Sequence, residues 1–126
     1  MKYIIQGETI SKKNSKQIFI NKRTGKRFIT TSKAYKNWYD SAIKQFLFEY
    51  PDIQTYHKRV NVYMTFYRKT KRSFDYNNIS QGIMDLLVDI GLLEDDDDKH
   101  AVPVFDPNVY IDKDNPRCEI TIEEIV

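Results

Sequence analysis

The strongest periodicity in the chain lies between Phe74 and Lys99. Ile79, Ile83, Leu86, Leu87 and Ile90 recur at i, i+4, i+7, i+8 and i+11, which places them on one face of a helix. Asn78, Gln81, Asp85 and Asp89 fall away from that face. Asn77 or Asn78 is expected to cap the helix, and Gly91 stands where a left-handed glycine ends one. A second helix is expected from Lys33 to about Tyr50, capped by Thr31 or Ser32 and stopped by Pro51. Tyr35, Trp38, Tyr39, Ala42, Ile43, Phe46 and Leu47 form its apolar stripe.

Strands show as alternation. Residues 2–6 (KYIIQ) read as a short strand, and QIFIN, KRTGK and RFITT read as a hairpin with Gly25 in its turn. Val60, Val62, Met64 and Phe66 alternate with Asn61, Tyr63, Thr65 and Tyr67, the pattern of a half-buried strand. Residues 101–110 contain two prolines and predict an irregular or edge strand. After a turn over residues 112–116, Cys118, Ile120 and Ile122 alternate with Glu119, Thr121 and Glu123 in a last strand. This order predicts one small α+β domain over residues 1–126, a mixed β-sheet with two main α-helices packed on it.

Composition narrows the classes. The chain is 40% hydrophobic and 30% charged, which is globular, and no apolar run approaches the roughly 18 residues of a membrane span. MKYIIQGETI lacks the apolar core of a signal peptide, so a cytoplasmic protein with no membrane partner is expected. The lone Cys118 leaves no internal disulfide or cysteine zinc site, fits a reducing compartment, and reads as a small core residue. With His57 and His100 the only histidines, a histidine-rich metal site is not expected, and His57 reads as an ordinary exposed side chain.

The net charge of +2 hides an asymmetry. Residues 1–72 carry 17 Lys and Arg against 4 Asp and Glu, whereas residues 73–126 carry 3 against 14. A basic half attracts a polyanion, and an acidic centre either binds metal or repels that polyanion. Lys12, Lys13, Asn14, Ser15 and Lys16 offer donors to phosphate oxygens in one loop. Lys22, Arg23, Lys26 and Arg27 crowd the hairpin turn, and Arg68, Lys69, Lys71 and Arg72 precede Asp75. Asp75 and the run from Glu94 to Asp98 bracket the central helix, and gathered in one cleft they would suit a divalent cation. A surface helix with a solvated acidic loop, neutralised by the basic segments, accounts for the same residues.

Longer motifs add to this reading. Asp75-Tyr-Asn-Asn-Ile-Ser-Gln-Gly-Ile-Met-Asp-Leu-Leu, followed by Gly91-Leu-Leu-Glu-Asp-Asp, resembles the RusA family of Holliday-junction resolvases. That family carries D-x-D-N-(I/L)-x-K-x-x-x-D-x-L, then a glycine and an apolar stretch ending in D-D. GETISKKNSKQI is similar to the G-x-x-x-S-K-K-N-S-x-x-I opening of the phage and prophage branch, and residues 32–38 resemble its S-x-x-Y-x-x-W helix start. The resemblance implies a homodimeric endonuclease that binds four-way DNA junctions in a bacterial or phage-infected cell. It implies Mg²⁺ or Mn²⁺ as cofactor, with no small-molecule cofactor. Position by position, Asp75, Asn77, Gln81 and Asp96 stand at the catalytic positions, and Asp75, Asn77, Asp95 and Asp96 at the metal positions. Asp85 also matches a motif acid. The basic residues of 12–27 and 68–72 would hold DNA. Asn77 and Gln81 replace the motif aspartate and lysine, so the resemblance also admits a weakened or inactive protein that binds branched DNA. A partner-binding protein without nucleic acid is the remaining rival.

Overall fold

Strict alternation puts Val60, Val62, Met64 and Phe66 on the buried face of β4 (Val60–Arg68), and the sheet is built outward from that strand. The computed structural model describes the backbone of residues 1–11, 16–20, 22–31 and 33–126, and side chains for 1–11, 22–26 and 33–126. Antiparallel to β4 runs β7 (Arg117–Glu124), in the register Val62↔Ile122, Met64↔Ile120 and Phe66↔Cys118. Each pairing sets one buried side chain beside another. A one-residue slip would turn all of them to solvent, so burial fixes the register. Outside β7 lies β1 (Lys2–Gln6), antiparallel, adding Tyr3 and Ile5 to the same face.

On the other side of β4 runs β5 (Ala101–Phe105), parallel, from Val60↔Ala101 to Met64↔Phe105. The short β6 (Tyr110–Ile111) continues along that edge, opposite Tyr67 and Arg68. The mixed five-stranded sheet has the order β1-β7-β4-β5, and Pro103 is tolerated because β5 is an edge. The hairpin forms as expected from β2 (Lys16–Ile20) and β3 (Arg27–Thr31), a separate two-stranded sheet with Ile18 opposite Ile29.

Parallel neighbours need a crossover, which α2 (Tyr76–Asp89) supplies between β4 and β5. It buries Ile79, Ile83, Leu86 and Leu87, as the periodicity predicts. It also buries Gly82 where α1 (Lys33–Glu49) approaches; a Cβ there would stand 3.1 Å from the Tyr35 hydroxyl and 3.5 Å from Trp38. Tyr35, Trp38, Ala42 and Phe46 carry the buried face of α1, but Leu47 is 44% exposed and lies outside it. The expected stripe was therefore one residue too wide.

Two further expectations change at helix ends. The cap of α2 is Asp75, not Asn77 or Asn78: its backbone is extended and its side chain accepts from the Asn77 N–H at 2.8 Å. The helix starts early because Tyr76 packs on Phe74 and Phe105, with ring centroids 5.0 and 5.1 Å away. Thr31 closes β3 rather than capping α1, and Ser32 lies outside the described residues. Gly91 has φ +85°, the expected left-handed helix end. Cys118 is fully buried in the core, which pushes its thiol pKa up. Among the described residues no helix is long and apolar enough to cross a membrane.

Candidate functional site

A repeat of four residues brings Asn77, Gln81 and Asp85 onto one ridge of α2. Asn77 and Gln81 are exposed, and Asp85 is partly covered. Asp75 stands at the head of the ridge, past the carboxyl end of β4, with one carboxylate oxygen held by the cap. Beyond Asp85, Asp89 accepts a hydrogen bond from the Tyr39 hydroxyl. Burial first, then Asp85 and Asp89, raise the Tyr35 pKa to about 12, so α1 faces this acidic flank with neutral phenols.

The acidic loop follows Gly91 and leads into the amino end of β5. Its position is set by backbone bonds: Tyr56 N–H to the Leu92 carbonyl at 2.9 Å, and Val60 N–H to the His100 carbonyl at 3.0 Å. Within it the Asp96 N–H donates to Asp95 Oδ1 at 2.7 Å. Burial, then Asp95 and Asp85, push the Asp96 carboxyl above its ordinary value. The end of the ridge and the loop therefore share one electrostatic environment.

Among the described residues, Asp75, Asp95 and Asp96 do not come together as three ligand atoms within 4.8 Å of one another. A 14-residue helix is about 20 Å long, and it holds Asp75 and Asn77 at its start while the acidic loop follows its end. Beyond burial, Asp95 and Asp85 add to the upward shift of the Asp96 carboxyl. Among the described residues, one group sets three possible ligand atoms within 4.8 Å of one another: Asp95, Asp97 and His100.

His100 Nδ1 lies 2.5 Å from Asp97 Oδ1 and its Nε2 lies 3.6 Å from Glu94. Glu94 also pairs with His57 Nδ1. Hydrogen bonding to Asp97 raises the His100 pKa, and hydrogen bonding to His57 lowers that of Glu94. Sequence reasoning treated the histidines separately. The i,i+3 spacing of Asp97 and His100 was a readable signal, but the meeting of His57 with Glu94 depends on the Tyr56–Leu93 bridge.

The basic residues divide. Lys22, Arg23 and Lys26 are exposed at the hairpin turn, and Lys69, Lys71 and Arg72 are exposed ahead of Asp75. Arg68, expected to hold DNA, turns inward: its side chain is only 12% exposed and donates to the Thr9 carbonyl at 2.9 Å. Its guanidinium lies over the Phe74 ring at 4.8 Å, with Glu8 3.6 Å away. Burial pushes its pKa down. Position explains this, because Arg68 is still paired to Ile111 in the sheet. Lys12, Lys13, Asn14 and Ser15 lie outside the described residues, as do the side chains of Lys16 and Arg27.

Comparison with protein-family profiles and with curated proteins returns no match for this chain. The acids of the loop offer carboxylate oxygens, the chemistry a hard divalent ion takes, and His100 adds an imidazole nitrogen beside Asp95 and Asp97. Mg²⁺ or Mn²⁺ therefore fits this donor set, and Asp97 with His100 extends it.

Proposed function

We propose that this chain is a RusA-like, structure-selective endodeoxyribonuclease that acts on four-way DNA junctions as a homodimer. The observation that supports this best is the ridge: the positions matching the family motif, Asn77, Gln81 and Asp85, lie on one side of α2, and Asp85 contributes to the raised Asp96 carboxyl. Asp85, Asp95 and Asp96 would hold Mg²⁺ or Mn²⁺, and Asp75 with Asn77 would face the strand from the other end of the ridge. A divalent ion bound there lowers the pKa of a coordinated water and offsets charge developing on the phosphate. One water is consumed for each phosphodiester hydrolysed, which leaves a nicked duplex.

The chain's own groups supply position and charge. Lys69, Lys71 and Arg72, exposed ahead of the ridge, would draw the phosphate backbone to it, and the exposed hairpin cations would extend that track. Glu94 and Asp97, each paired with a histidine, add acceptors around Asp95 and Asp96. Gln81 contributes an amide in place of a charged donor and stabilises a developing anion less than lysine would. A binder that cuts slowly is the second reading, supported by the exposed, uncharged Asn77 and Gln81 within the ridge.

Competition between a four-way junction and a linear duplex of equal length, with metal chelated, tests the reading. Junction binding that persists in chelator, exceeds duplex binding and weakens steeply with salt is expected. Equal or absent binding of the two DNAs would contradict it.

A further inference from the structure

We infer that the cavity at the carboxyl end of β4, beside β6, is a nucleotide subsite that takes one unstacked base at the branch point. The inference rests on the junction reading above and names a part of the substrate that reading leaves unplaced. The cavity has a volume of about 400 Å³ and is lined by Arg68, Lys71, Arg72, Phe74, Tyr76 and Val109, among others. Ligand pockets lie in this size range, and a single nucleobase needs only part of it.

Topology puts it in a favoured place. β4 pairs in parallel with β5 on one side and antiparallel with β7 on the other, and the chain leaves its carboxyl end to enter α2. The crevice beyond the carboxyl ends of parallel strands is where open α/β sheets bind ligands. Here the link from β4 to α2 carries the cations, and the start of α2 carries Asp75, one residue from each of two cavity aromatics.

The wall chemistry is that of a nucleotide. Phe74 and Tyr76, both partly exposed, pack edge to face at 62° with centroids 5.0 Å apart. The Arg68 guanidinium covers one face of Phe74, and the remaining ring surface at the cavity is apolar and suits a base. Lys71 and Arg72, both exposed, stand at the same cavity as donors for the attached phosphate. Arg68 forms part of the wall. At a branch point stacking is already interrupted, so moving a base into a pocket costs less than in continuous duplex.

The test uses the full chain in chelator, with 2-aminopurine placed singly at each position around the crossover of a four-way junction. Protein binding is expected to change the emission at one symmetry-related position and leave more distant positions unchanged. Val109→Phe, which fills the cavity without altering charge, should abolish that change and weaken junction binding by roughly tenfold, while duplex binding holds. Arg72→Ala should weaken binding to junction and duplex alike. Unchanged emission at every position despite tight junction binding would overturn the subsite and leave the junction reading standing. So would a signal that survives in a folded Val109→Phe variant. Failure to prefer the junction over duplex would overturn both.

Discussion

The Asp75 carboxylate accepts the Asn77 N–H at 2.8 Å, so a residue matched to the metal position also closes the first turn of α2. The two roles separate by substitution. Asparagine caps nearly as well as aspartate, whereas alanine removes the acceptor. Asp75→Asn should therefore leave the melting temperature almost unchanged and slow cleavage without abolishing it, because Asp75 faces the strand and lies outside the proposed Asp85, Asp95 and Asp96 metal set. Asp75→Ala should cost about 1 kcal/mol of stability as well, read by urea denaturation.

Gly82 and Gly91 should both resist alanine, for different reasons. At Gly82 the added Cβ meets the Tyr35 hydroxyl at 3.1 Å, so overpacking of about 1–3 kcal/mol opposes a helix-propensity gain of about 1 kcal/mol. At Gly91 nothing lies within 4 Å, but φ is +85° and the cost is conformational, about 1 kcal/mol. Gly91→Asn should recover part of the Gly91→Ala loss, and Gly82→Asn should recover none, as thermal denaturation would show.

Glu119 supplies a pH dependence of known sign. Burial raises its pKa, but hydrogen bonds from Lys2 and Arg117 outweigh burial and hold it below the ordinary 4.5. A carboxyl depressed in the folded state contributes stability above its unfolded pKa and loses it as pH falls through the folded value. Glu119→Gln should cost about 1 kcal/mol at pH 7. The gap to the parent chain should close as pH falls below about 4.5, measured by denaturation at each pH.

Lys71 and Arg72 should contribute to DNA affinity without choosing sequence. Replacing either with alanine should reduce the slope of log K against log salt by about 1 and weaken duplex and junction binding similarly. Arg68→Ala should act differently. Its guanidinium holds Thr9 and covers Phe74, so the loss should show first in thermal stability.

The readable parts of this fold were those in which one face is buried against another. Val60 to Phe66 and Cys118 to Ile122 alternate because each strand has a core side and an open side, and the two patterns meet in register. The buried line of α2 was legible for the same reason. Its cap was not, because the choice among Asp75, Asn77 and Asn78 depends on where Tyr76 packs against Phe105, a contact 29 positions away. Arg68 reads in sequence as one more cation before Asp75, but β4 extends to it and it keeps the parity of the buried Val60, Val62, Met64 and Phe66, so it points inward. The acids of the ridge and loop were all visible as residue types. The contribution of Asp85 to the raised Asp96 carboxyl depends on where the loop lies, which its backbone bonds to Tyr56 and Val60 set.

The central claim is tested most directly by mapping products from an end-labelled four-way junction incubated with the chain in Mg²⁺ and in Mn²⁺. Symmetrically paired nicks are expected, lost in chelator and in Asp96→Asn, and faster in Asn77→Asp, which restores a carboxylate to the ridge. No nicks from the parent chain, from Asn77→Asp or from Asn77→Asp with Gln81→Lys, in either metal and at saturating junction, would contradict the nuclease account.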